Sequence, residues 1–269
     1  AVALAEAELV VLAVPAQSLR EQLKSWGDAV PADAVLLSLM KGLERGTDLR
    51  MSEVIAEVLG AGEDRIAVLS GPNLAKEIAR REPTASVVAG PDEETIAWIA
   101  RACTPGYFRP YTNSDLVGVE IGGIVKNVIA LAVGICDGMD MGDNTKATII
   151  TRGLAETTRL ALAIGGNPET LAGLAGLGDL VATCSSPLSR NRTAGRLIGE
   201  GLSLDEVAER MNQVAEGIKS ASAVLDLAAR HGVEMPITEA VVAVIDGKID
   251  VMGMTRLLLE RDLKSEETR

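Results

Sequence analysis

The chain has 269 residues, 47% of them hydrophobic, yet only two Trp, two Tyr and one Phe. A sizeable core must therefore be built from Ala, Val, Leu and Ile. That composition suits parallel strands and packed helices better than an all-β sandwich. A net charge of -12 and a pI near 4.7 argue against a nucleic-acid partner. Basic residues gather once, at Arg190, Arg192 and Arg196, enough for one small anion rather than a duplex.

Three widely spaced cysteines (Cys103, Cys136 and Cys184) with no C-x-x-C disfavour both a disulfide framework and a structural zinc. Free thiols fit a reducing cytoplasm. The single histidine, His231 in "AARHGVEMP", reads as the end of a helix, which disfavours histidine dyads and two-histidine metal sites. No cationic leader with an apolar core opens the chain, and charges interrupt its longest apolar run. The expectation is a cytoplasmic protein without a membrane span.

In chain order, "LVVLAVP" (9–15), "AVLLSLM" (34–40), "IAVLSG" (66–71) and "ASVVAG" (85–90) are continuous apolar runs bounded by Pro, Gly or charge, as buried parallel strands are. Helical patterns lie between them at 17–26, 48–59, 74–80 and 92–102, and "YFRPYTN" adds a last strand. From Ser114 onward the strand signals stop and long helical patterns take over. The expected fold is α/β followed by all-α: a Rossmann-like parallel sheet in residues 1–113, then a helical domain in residues 114–269, with a ligand cleft between them.

A doubly wound dinucleotide fold opens with a strand leading into G-x-G-x-x-G, and this sequence contains no such turn. "GAGEDR" at Gly60 follows a helix, and "GLGDL" lies deep in the helical half. The opening "AVALAEAELVVLAVP" reads as a helix feeding a later strand. The sheet is thus expected to be incomplete here, short of about two βα units, or on the order of 60 residues. The chain alone is accordingly expected to bind nucleotide weakly.

The residue least at home in its surroundings is Lys126, inside "IGGIVKNVIALAVGIC". Burying an ammonium is costly unless it is paired, and burial lowers its pKa toward that of a usable base. A lysine snorkelling its head to water is the structural alternative. Gly122 and Gly118, one and two turns earlier, leave the lysine's face bare, with room for a flat ring or another helix. Lys41 follows a strand directly, at the carboxyl end where open α/β sheets bind ligands. Asn73, after the strand-ending Gly71-Pro72, either caps a helix or holds a ligand oxygen there. Asp179 in "AGLGDLVATC" is a carboxylate that can pair with a buried lysine or cap a helix. Ser189, Arg190 and Asn191 precede a helix and suit a phosphate monoester.

In their order and spacing, "KGLE", "SGPNLAKE", "GVEIGGIVKNVIA", "TRGLAE", "AGLGDLVATC", "SRNR", "VAEG" and "GVEMPIT" resemble the bacterial-type NAD(P)-dependent glycerol-3-phosphate dehydrogenases, almost from end to end. The resemblance implies interconversion of sn-glycerol 3-phosphate and dihydroxyacetone phosphate, NAD or NADP as cofactor, a role in phospholipid synthesis, and a homodimer. It implies Lys126 as proton acceptor, with Lys41 as a second lysine touching substrate and cofactor. Gly71, Asn73, Asn127, Asp179, Ser189, Arg190 and Asn191 would contact the substrate. Ala75, Arg190, Val214 and Glu216 would contact the cofactor. Asn73 departs from the family, which often has a hydroxyl residue there. The related β-hydroxyacid and 6-phosphogluconate-type dehydrogenases carry an Asn four residues after their lysine. Here that position is Ala130, which counts against them. A catalytically silent homologue serving as a binding module is the alternative from another class.

Overall fold

The computed structural model describes residues 4–211 and 215–259. Five strands, β1 (Leu9–Leu12), β2 (Val35–Ser38), β3 (Ile66–Ser70), β4 (Thr84–Ala89) and β5 (Phe108–Asn113), form one sheet in chain order. α1 (Leu19–Trp26), α2 (Met51–Leu59), α3 (Ala75–Ala79) and α4 (Glu93–Ala102) connect them. Each of the expected runs becomes a strand, and the inner ones, β2 and β3, bury apolar residues on both faces, whereas β1 leaves Val11 and β5 leaves Tyr111 exposed. Leu36, Met51 and Ile55 pack on one side of the sheet, and Leu37, Val88 and Ile99 on the other.

Three of the four strand pairings are parallel as expected, but β4 runs antiparallel to β3. The cause lies in the connection. A parallel return needs a crossover of a dozen or more residues, usually a helix long enough to span the sheet. The connection, residues 71–83, only just reaches that length, and its helix α3 has five residues, too few to span the sheet. At the other end of this part, residues 4–8 form a turn, closed by the Ala7 N–H on the Leu4 carbonyl, rather than the helix expected there.

The helical part is built around α5 (Leu116–Gly138), in which every residue from Gly118 to Cys136 is buried. A helix that is apolar all round is stable only when wrapped on all sides. Asp115 starts it, accepting the Gly118 N–H at 2.8 Å and the Asn167 N–H at 2.8 Å. Around it stand α6 (Asp143–Ala163), α7 (Pro168–Leu171), a π-helical turn (Leu174–Gly178), α8 (Asp179–Ser185), α9 (Arg190–Gly199), α10 (Leu204–Met211), α11 (Glu216–Arg230), α12 (Pro236–Ile245) and α13 (Val251–Leu259). α5 is the one continuous helix among the described residues long and apolar enough to cross a membrane, and 89% of that window is buried inside the protein. The sequence reading had found no apolar run of that length. Two buried charges, Glu120 and Lys126, did not break the helix because each has partners.

α9 lies against α5 with backbones nearly touching. A Cβ on Gly134 would come within 2.1 Å of the Arg192 carbonyl, and one on Gly195 within 2.1 Å of the Leu131 carbonyl. At the far end of α11, His231 is the C-cap and Gly232 follows with φ +66°, as read from the sequence.

Candidate active site

A cavity of about 990 Å³ opens at the carboxyl ends of β1 and β2 and runs to the helices. Lys41, Asn73, Lys126, Asn127, Arg190, Asn191 and Glu216 all reach its wall. At its floor the two lysines share one carboxylate. Lys126 Nζ donates to Asp179 Oδ1 at 2.6 Å, and Lys41 Nζ to Asp179 Oδ2 at 2.5 Å. Lys41 also donates to the Gly71 carbonyl at 3.0 Å. Asp179 is 1% exposed and Lys126 8%, so neither charge is screened by water. Asp179 is the first residue of α8 rather than its cap, a place that Gly178 takes.

Burial holds Lys126 down to a pKa of about 8. The positive charge of Lys41 adds to the effect, and Asp179 opposes it. Thr183, one turn after Asp179 on α8, accepts from Lys126 Nζ at 2.7 Å and donates to Asp179 Oδ1 at 3.2 Å. The sequence reading missed this residue. Its signal was available, since a hydroxyl four residues after a carboxylate lies on the same helix face.

Asn127, next to Lys126 on α5, is not a partner of its ammonium. Its amide donates weakly to the Gly123 carbonyl at 3.4 Å, and its carbonyl takes the Asn191 amide at 2.8 Å. Asn191 in turn accepts the Gly217 N–H at 2.8 Å, so the two amides tie α5 and α9 to the start of α11. Ser189 is turned inward as the N-cap of α9, accepting the Arg192 N–H. Arg190, beside it, is exposed at the cavity wall.

The space behind the glycines of α5 is filled by protein rather than by a ring. A Cβ on Gly122 would sit 2.5 Å from the Ala175 carbonyl of the π-helical turn, and one on Gly118 would meet the Asp115 carboxylate. Gly123 is the glycine that faces the site, against Ser70 Oγ and the stem of Lys41. Asn73 donates to Ser86 Oγ at 3.0 Å and precedes α3 without capping it. Gly71 is buried, with φ +140°, and Ala75 is exposed at the start of α3. Val214 lies outside the described residues.

Two buried oxygens on the cavity residues, Asn73 Oδ1 and Glu216 Oε2, have no hydrogen-bond partner among the described residues. Buried acceptors of this kind are normally satisfied, so these two are open to donors from a bound molecule. Asn73 follows the carboxyl end of β3 and Glu216 opens α11 on the same cavity, and a cavity at strand ends is where an open α/β sheet holds a dinucleotide.

A largely parallel α/β sheet, its cavity at the strand ends and a helical half closing over it, is the architecture of Rossmann-type oxidoreductases. Residues 1–96 match the family profile of the NAD-dependent glycerol-3-phosphate dehydrogenase N-terminus, and residues 115–256 that of its C-terminus. A glycerol-3-phosphate dehydrogenase [NAD(P)+] of Thermobifida fusca is 63% identical over 90% of this chain and 72% of its own. That of Streptomyces coelicolor is 58% identical over 97% and 78%. The crystal structure of glycerol-3-phosphate dehydrogenase from Coxiella burnetii superposes with a TM-score of 0.90 at 38% identity, over 94% of this chain and 77% of that one. The chain belongs to the NAD-dependent glycerol-3-phosphate dehydrogenase family, an NAD(P)-dependent family of oxidoreductases.

Proposed function

We propose that Lys126 exchanges the proton on the C2 oxygen as sn-glycerol 3-phosphate and dihydroxyacetone phosphate are interconverted. The observation that carries this reading is the single carboxylate, Asp179, gripped by two lysines, one of them buried with its pKa near 8. A base so poised is partly neutral at physiological pH, and its ammonium is a competent acid in the reverse direction. The nicotinamide, when bound, takes or supplies the hydride. Lys41, Arg190 and Glu216 on the cavity wall would hold the cofactor, with Ala75 and Val214 assigned by resemblance.

Asp179 and Thr183 orient the Lys126 ammonium, and Lys41 stabilises negative charge on the C2 oxygen. Arg190 anchors the substrate phosphate, and Asn191, Asn127, Asn73 and Gly71 line the rest of its path. Ser189 supports Arg190 by starting α9. We read residues 1–113 and 114–269 as the cofactor and substrate domains. A homodimer and a cytoplasmic setting follow the family resemblance, and the mass in solution checks the dimer.

Substrate identity is tested by following NADH and NADPH oxidation with dihydroxyacetone phosphate and with 3-oxo acids in parallel. Turnover confined to the phosphorylated ketone is expected. Turnover of the 3-oxo acid instead would point to the β-hydroxyacid class.

A further inference from the structure

Besides the lysines and Asp179, one more buried charge joins the sheet to α5. Glu120 lies on α5, 4% exposed, six residues and therefore about 9 Å before Lys126. Its carboxylate takes three hydrogen bonds from the start of α2: Ser52 N–H at 3.0 Å, Ser52 Oγ at 2.6 Å and an Arg50 guanidinium nitrogen at 2.7 Å. Arg50 also pairs with Glu53, whose carboxylate takes the Arg50 N–H and closes the cap of α2. A fully hydrogen-bonded buried carboxylate at a helix start is stable, but hydrophobic packing would hold two elements together as well. The carboxylate therefore invites an explanation beyond cohesion.

That explanation lies in what Arg50 is attached to. Arg50 forms an isolated antiparallel bridge with Leu43, and Leu43 is fully buried two residues from Lys41. The loop between β2 and α2 that carries Lys41 is thus gripped near its far end by α5, the same helix that carries Lys126. Resting on the assignment of Lys126 above, we propose that Glu120 is a positioning residue: through Arg50 and Leu43 it sets the Lys41 ammonium against Lys126 on Asp179. Glu120 touches none of the three and acts only through the loop.

A purely structural buried carboxylate and a positioning one differ in what they do to Lys126. The charged and titratable groups around Lys126 are Lys41 from the loop, Asp179 and Cys184 from α8, Arg190 at the start of α9, and Glu216 at the start of α11. Lys41 is the one among them that Glu120 controls. When the Lys41 ammonium draws away, Lys126 loses a neighbouring positive charge and keeps Asp179, so its pKa rises.

The test is a titration of Lys126 by the 13Cε signal of labelled lysine, assigned by its loss in Lys126→Met. In the unsubstituted protein the midpoint is expected near 8. In Glu120→Gln it moves up toward the ordinary lysine value of about 10.4. There kcat falls by about ten- to a hundredfold, with KM for dihydroxyacetone phosphate changed less. Ser52→Ala removes the hydroxyl's hydrogen bonds with Glu120 and Arg50 but leaves the Ser52 N–H and the Arg50 guanidinium on the carboxylate, so it gives a smaller shift in the same direction, which serves if Glu120→Gln does not fold. Glu156→Gln is the comparator. It alters another buried carboxylate, one that caps α12 through Ile237 and Thr238 in the helical part, and it leaves the Lys126 midpoint in place. An ordinary midpoint in the unsubstituted protein contradicts the Lys126 assignment itself. A midpoint near 8 that neither Glu120→Gln nor Ser52→Ala moves, whatever happens to Tm, overturns the positioning role alone.

Discussion

Asp179 holds two ammonium groups in a place almost closed to water, so it is the residue whose loss is felt twice. Asp179→Asn keeps the shape and removes the charge, leaving two lysines without their counter-ion. Breaking a buried pair from one side destabilises by about 3–5 kcal/mol. The partial exposure of Lys41 places the expected loss at the lower end of that range, read by denaturant unfolding. Activity should fall with it, because the two lysines then lose the charge they share. The pH dependence follows from Lys126. Oxidation of the alcohol needs its neutral form, so kcat should rise with pH and level off above about 8. Reduction needs the ammonium and should decline over the same interval. A limb of the same sign in both directions would contradict the assignment. At this scale the sequence disclosed Lys126, Lys41 and Asp179, because a charge inside an apolar run and a cation after a strand are visible in one dimension. It did not disclose that Asn127 turns to Asn191, or that Glu120 meets Arg50 and Ser52. Those facts depend on which helix face meets which neighbour.

Elements are held here by two devices, close backbones and buried caps. The α5–α9 contact depends on glycines whose missing Cβ admits the facing backbone. Gly195→Ala is expected to destabilise by about 3 kcal/mol or more, because a carbonyl rather than a flexible side chain stands in the way. Gly142→Ala, at an open position with φ −70°, should stay within about 0.5 kcal/mol in the same unfolding assay. The cap of α12 makes a pH prediction. Burial lifts Glu156 to a pKa of about 7 from 4.5, against hydrogen bonds that favour its charge. Between those values the folded protein holds a proton that the unfolded chain has released. Stability from this group is therefore complete below about 4.5 and lost as pH rises through about 7, by on the order of 3 kcal/mol. Glu156→Gln should flatten that part of the stability–pH curve. The strands and most helices were legible as runs and periods. The direction of β4 was not, since an apolar run reads the same either way along the sheet and the deciding feature is the length of α3.

The whole molecule is organised by α5, which carries Lys126, Asn127, Glu120 and the glycines that meet α9, Lys41 and the π-helical turn. Its hydropathy alone would pass for a membrane span, and only the surrounding helices show it to be a core. The division into an α/β part and a helical part was legible from the point where strand signals cease. The family was legible because its motifs, such as "KGLE", "VKNVIA" and "GDLVATC", carry residues far apart in the chain that the fold joins through Lys41, Lys126 and Asp179. The central claim is that Lys126 moves the proton. Lys126→Met removes its amine at nearly constant volume, and its most direct test is dihydroxyacetone-phosphate-dependent NADH or NADPH oxidation alongside the unsubstituted protein. Turnover is predicted to fall by about 10²–10⁴-fold with the cooperative unfolding transition kept. Turnover within a few-fold of the unsubstituted protein would contradict the claim.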